Sequence, residues 1–135
     1  MRILVADGHK KVRWALSTLV RETPGLTLVG EATETEGLLL LVKEQQPDLV
    51  LLDWALSGQS KKDVLDALRA LDVPPKVIVL SSHPEDQREA LADGAHSFVS
   101  KIDAPERLLS TFRELIEEAE NQESESAGKL PLNKE

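Results

Sequence analysis

Hydrophobic positions along the chain follow two rhythms. Short apolar, β-rich runs recur at residues 3–5, 26–29, 49–52, 77–80 and 98–99. Between them, apolar side chains return three and four residues apart. Val12, Ala15, Leu16, Leu19 and Val20 form one such set, and Leu38, Leu41 and Val42 a second. Val64, Leu65 and Leu68 form another, and Leu108, Phe112, Leu115 and Ile116 the last. The first rhythm predicts five strands and the second predicts helices. The third and fourth runs are nearly continuous, as expected of strands covered on both faces.

Helix boundaries agree with this pattern. Pro24-Gly25 predicts the close of the first helix, Pro47 that of the second and Pro74-Pro75 that of the third. Thr33 and Glu36 have capping-box spacing at the start of the second helix. Gly94 follows a short fourth helix as a C-terminal cap, and Asp103 before Ala104-Pro105 can cap the fifth. Five β-α units imply right-handed crossovers and a parallel sheet. From Asn121 onward the periodicity fades. The expected organisation is therefore one domain over residues 1–120 and an acidic, flexible tail over 121–135.

Ligands of open parallel sheets sit at the carboxyl ends of the strands. There the chain offers Asp7 after the first strand, Asp53 after the third, Ser81 after the fourth and Lys101 after the fifth. Carboxylates grouped in this way suit a hard cation such as magnesium. An Asp beside the cation can act as a nucleophile in phosphoryl transfer, forming an acyl phosphate. A Lys then offsets charge on the phosphoryl oxygens, and a hydroxyl can bond the new group and draw a loop inward.

The chain resembles a response-regulator receiver domain over about residues 2–117. Four segments carry the resemblance, in order and at the family's spacing: I-L-V-A-D-G-H-K-K-V-R, P-D-L-V-L-L-D-W-A-L-S-G, K-V-I-V-L-S-S-H and D-G-A-H-S-F-V-S-K. The resemblance implies an α/β, flavodoxin-like (βα)5 doubly wound parallel sheet with strand order 2-1-3-4-5. It implies Asp53 as phosphoacceptor, Ser81 as switch hydroxyl, Lys101 as the phosphoryl contact and Phe98 at the aromatic switch position. It further implies a magnesium ion held by Asp7, Asp53 and the backbone carbonyl of Ala55.

The departures are as informative. Gly8 stands where the family has the second acid of a pair, the one that usually ligates the metal directly. Magnesium demands near-ideal geometry, so its binding is expected to be weakened. Ser57 replaces a common Pro, and Ser60-Lys61 replaces a common Asp-Gly. His9, His83 and His96 read as solvated, since three scattered histidines make no metal triad. Lys10-Lys11 reads as a solvated helix start, with a bolder alternative in which one ammonium stands in for the missing cation.

Composition narrows the function classes. At 135 residues and 41% hydrophobic content, the chain can bury a core without staples. Cysteine is absent, which excludes disulfides and thiolate metal sites. The longest wholly apolar run, 38–42, falls far short of the roughly 20 residues of a membrane helix. The net charge of −8 is concentrated at the end, where residues 114–135 hold seven Glu and two Lys. An acidic surface argues against general nucleic-acid binding. Only about 18 residues follow the fifth helix, too few for a helix-turn-helix module, so no DNA-binding domain is expected in this chain.

The leading expectation is a cytoplasmic receiver module of a two-component phosphorelay and not a turnover enzyme. A histidine kinase or phosphotransfer protein would donate to Asp53, and an unknown protein target or a homodimer would read the signal. The alternative is a phosphorylation-independent pseudo-receiver that binds partners constitutively. A haloacid-dehalogenase-like phosphatase is disfavoured, because the second Asp it requires is Ala55 here.

Overall fold

A computed structural model describes the backbone of residues 1–132 and the side chains of residues 1–122. Five strands, β1 (Arg2–Ala6), β2 (Thr27–Ala32), β3 (Leu49–Asp53), β4 (Lys76–Ser81) and β5 (Ser97–Ser100), form one sheet. Its order is β2-β1-β3-β4-β5 and every pairing is parallel. Five helices connect and flank them: α1 (Lys10–Glu22), α2 (Thr35–Gln45), α3 (Lys61–Arg69), α4 (Gln87–Ala92) and α5 (Glu106–Leu132). A 3-10 turn, Pro84–Asp86, leads into α4. Order and crossovers are those of a flavodoxin-like fold.

Strand alternation divides the core into two layers. Leu4, Val50, Leu52, Val77 and Val79 face one side, where Leu38 and Val42 of α2 and Val64, Leu65 and Leu68 of α3 cover them. Ile3, Val5, Leu49, Leu51, Ile78 and Leu80 face the other. Leu16 and Val20 of α1 and Leu108, Phe112 and Leu115 of α5 pack there. All five residues of β3 are buried, which is why its sequence shows no polar alternation.

Two boundaries differ from the sequence-based expectation. The residue capping α2 is Glu34, not Thr33, and no side-chain cap bond forms. A bridge between Glu34 and Ser57 takes its place, with the Thr35 N–H donating to the Ser57 carbonyl at 2.9 Å. Tertiary pairing with the loop after β3 thus replaces a local capping box. Helix α5 continues past residue 121 to Leu132, so no break in secondary structure marks the expected start of the tail. Residues 133–135, the last of that expected tail, lie outside the described residues. The start of α5 is satisfied by backbone, because the Asp103 carbonyl accepts from the Arg107 N–H at 3.3 Å.

Candidate functional site at the carboxyl edge of the sheet

Register brings the strand ends together. Ala6 pairs with Leu52, Asp53 with Leu80, and Ser81 with Ser100. The Trp54 N–H donates to the Leu80 carbonyl and the Lys101 N–H to the Ser81 carbonyl, both at 2.8 Å. Asp7, Asp53, Ser81 and Lys101 therefore meet along one edge, as the strand-end reading expects.

Asp7 and Asp53 are 0% and 2% exposed. Lys101 Nζ spans them, 3.1 Å from Asp7 Oδ2 and 3.2 Å from Asp53 Oδ1. The Ala55 N–H also donates to Asp53 Oδ1, at 3.0 Å. Lys10 and Lys11 are exposed, and among the described residues neither forms an ion pair with the two acids. The long side chain that follows β5, and neither Lys10 nor Lys11, holds the pocket.

The carboxylate oxygens facing away from Lys101 are less well satisfied. Asp7 Oδ1 accepts the His9 N–H at 2.8 Å and lies 3.3 Å from His9 Nδ1. The same imidazole nitrogen is 3.9 Å from Asp53 Oδ2. Asp53 Oδ2 is buried and has no hydrogen-bond partner. Leaving a buried acceptor unpaired costs about 1–3 kcal/mol, more if it is charged. Two buried carboxylates with one orphaned oxygen are a donor set that fits a small divalent cation.

Gly8 is not a backbone necessity. Its φ lies outside the left-handed region, and a Cβ there would meet only the Thr33 carbonyl, at an ordinary 3.4 Å. Gly58, by contrast, has φ +122° and lies so close to Thr35 that a Cβ would clash with its hydroxyl. Thr35, fully buried, also accepts the Gln59 N–H at 2.9 Å, fixing the loop after Asp53.

Ser81 is buried at the same edge, with its hydroxyl engaged elsewhere. It donates to Asp86 Oδ2 at 2.7 Å and accepts the His83 N–H at 3.0 Å. Phe98 is half-buried against the α2–α3 layer and borders a shallow cleft of about 550 Å³ with Pro84, Gln87 and Arg107. Lys61 sits near enough to feel the pocket. Burial lowers its ammonium below the ordinary lysine range, while the Asp53 carboxylate opposes that shift.

Sequence reasoning missed three residues. His9 is exposed but turned toward the acids, Asp86 holds the Ser81 hydroxyl, and Lys61 lies within electrostatic reach of Asp53. Only His9 had a local signal, its position two residues beyond Asp7.

The family model for the response regulator receiver domain matches residues 3–113 of this chain. The chain belongs to that family. Receiver domains of known proteins carry the same likeness in sequence and in fold. The nitrate/nitrite response regulator NarL of Escherichia coli K12 is 34% identical over 114 residues, covering 83% of this chain and 53% of that protein. The transcriptional regulatory protein LiaR of Bacillus subtilis is 29% identical over 133 residues, covering 96% of this chain and 63% of LiaR. The receiver thus spans about half to two thirds of the length of these curated relatives. The signal receiver domain of the putative response regulator NarL from Mycobacterium tuberculosis superposes with a TM-score of 0.76 at 28% identity. That superposition covers 88% of this chain and 95% of the other. Among the described residues, no helix of the receiver is long and apolar enough to cross a membrane.

Proposed function

We propose that this receiver accepts a phosphoryl group on Asp53 from a histidine kinase or phosphotransfer protein and signals in the cytoplasm by protein contact. The observation that carries this reading is the pocket itself: a buried Asp53 with one free oxygen, held at its other oxygen by Lys101. Asp53 Oδ2 is the nucleophile. It attacks phosphorus as the donor's P–N bond breaks, and the leaving imidazole keeps the bonding pair. Lys101 Nζ, already between the two acids, offsets charge on the transferred group. Asp7 and Asp53, with the Ala55 carbonyl, would hold a divalent cation, which when bound offsets charge on the phosphoryl oxygens. Loss of the second acid at Gly8 weakens magnesium binding.

The readout runs through Ser81. Its hydroxyl leaves Asp86 to bond the new phosphoryl oxygen, which frees the turn Pro84–Asp86 and α4 beyond it. Phe98, at the edge of that region, follows into the space released. A partner protein or a second copy of the receiver would bind the face formed by α4, β5 and α5. In the alternative reading, a pseudo-receiver binds its partner without phosphorylation; Gly8 and the closed Lys101 bridge favour it.

Intact mass after incubation with acetyl phosphate and a divalent cation separates the two. The phosphoacceptor reading expects a gain of one phosphoryl group that Asp53→Asn abolishes. No gain at any cation concentration favours the pseudo-receiver.

A further inference from the structure

The imidazole of His9 stands beside the place left by the missing acid. One of its ring nitrogens, a carboxylate oxygen of Asp7 and one of Asp53 lie within 4.8 Å of one another, close enough to share one ion. The cluster does not rest on acidic residues alone. Asp53 Oδ2 is buried, without a hydrogen-bond partner among the described residues and 3.9 Å from the imidazole nitrogen, so an unsatisfied acceptor lies beside the ring.

Lys101 and His9 divide the two carboxylates between them. Lys101 takes Asp7 Oδ2 and Asp53 Oδ1, and the remaining oxygens face His9. The loop presenting His9 is also held in place. The His9 carbonyl accepts the Arg13 N–H at 2.8 Å, and Arg13 Nη1 donates to the Asp7 carbonyl at 3.0 Å. His9 precedes α1 and makes no side-chain capping bond; its ring is directed at the acids instead, with Nδ1 3.3 Å from Asp7 Oδ1.

Donor chemistry then decides the ion. Magnesium prefers oxygen ligands in a near-ideal octahedron and loses its waters reluctantly. Imidazole suits zinc, copper, iron and nickel, while carboxylate and carbonyl suit magnesium, calcium and manganese. With no carboxylate at Gly8 and an imidazole at His9, the donors at hand form a mixed nitrogen and oxygen set. We infer that His9 is a metal ligand in this receiver, and that the pocket takes a divalent first-row transition ion, with zinc as its representative, through Asp7, His9 and Asp53. The inference rests on the proposed function only in sharing the pocket around Asp53.

The test uses the full chain, stripped of metal by a chelator and titrated calorimetrically with zinc chloride and separately with magnesium chloride. His9→Ala is expected to weaken zinc binding by at least about tenfold, the scale at which lost ligand support is felt. It should leave magnesium binding where it was. His9→Asp, which restores an oxygen donor, should strengthen magnesium and weaken zinc. This gain is one that a merely structural role for His9 would not produce. In wild type, zinc should also shift the His9 Nδ1 resonance in nitrogen-edited NMR.

His96→Ala serves as the control for adventitious binding and should change nothing. Zinc affinity unchanged in His9→Ala, or zinc binding that survives Asp53→Asn intact, overturns the inference. Phosphoryl transfer is scored separately by mass. A chain that is phosphorylated with magnesium but shows no His9-dependent zinc site refutes the ligand assignment and keeps the receiver function. A chain with a His9-dependent zinc site and no phosphorylation does the reverse.

Discussion

At the scale of single residues, a glycine and a histidine border the two buried acids. Gly8 occupies a position where the backbone would accept a Cβ. Its effect is therefore chemical, one carboxylate fewer in a pocket that already buries two. Like charges close together disfavour ionisation and strain the apo state. Gly8→Asp is accordingly expected to lower the melting temperature without metal and to raise magnesium affinity, with magnesium restoring the lost stability. Parallel thermal melts with and without the cation would check both directions. The sequence displayed Asp7, Asp53, Ser81 and Lys101 because each directly follows or closes an apolar run. It hid Asp86 and Lys61, whose relation to the pocket depends on how the loops after β4 and β3 fold back. His9 was visible but ambiguous, since an isolated exposed histidine is more often solvated than bound.

At the scale of elements, the segment after β4 is the part poised to change. Ser81 donates to Asp86 across a turn of few residues, and α4 behind it is six residues long with Ala90 alone buried. Few buried contacts make such a segment cheap to rearrange. In the proposed mechanism, Asp86 competes with the incoming phosphoryl group for the Ser81 hydroxyl. Asp86→Ala should therefore tighten beryllofluoride binding, by about tenfold or more if the bond has the strength typical of a charged acceptor. Ser81→Ala should loosen it. Unchanged affinity in Asp86→Ala, measured by fluorescence titration, would remove the competition. The strands were legible because period-two burial on both faces leaves continuous apolar runs. The α2 start was not, because Ser57 caps it from a distant loop and no local motif records that.

At the scale of the whole molecule, two core layers on a five-stranded sheet hold the carboxyl edge in place, and the strand ends and the loops after them carry the polar groups. α5 closes one layer through Leu108, Phe112 and Leu115, all buried. Phe112→Ala should cost about 3–5 kcal/mol by denaturant unfolding, the range for a large buried ring. The same core positions Lys101, since α5 packs against the sheet just beyond the loop that bears it. The fold class could be read from alternating runs alone, whereas the length of α5 could not, because its later turns carry no apolar stripe. Whether Asp53 works as a phosphoacceptor is decided by fluorine-19 NMR of the chain with beryllofluoride and a saturating divalent cation. Protein-bound fluoride resonances in wild type that vanish in Asp53→Asn are the predicted result. Spectra of free beryllofluoride alone, or bound resonances that persist in Asp53→Asn, would contradict it.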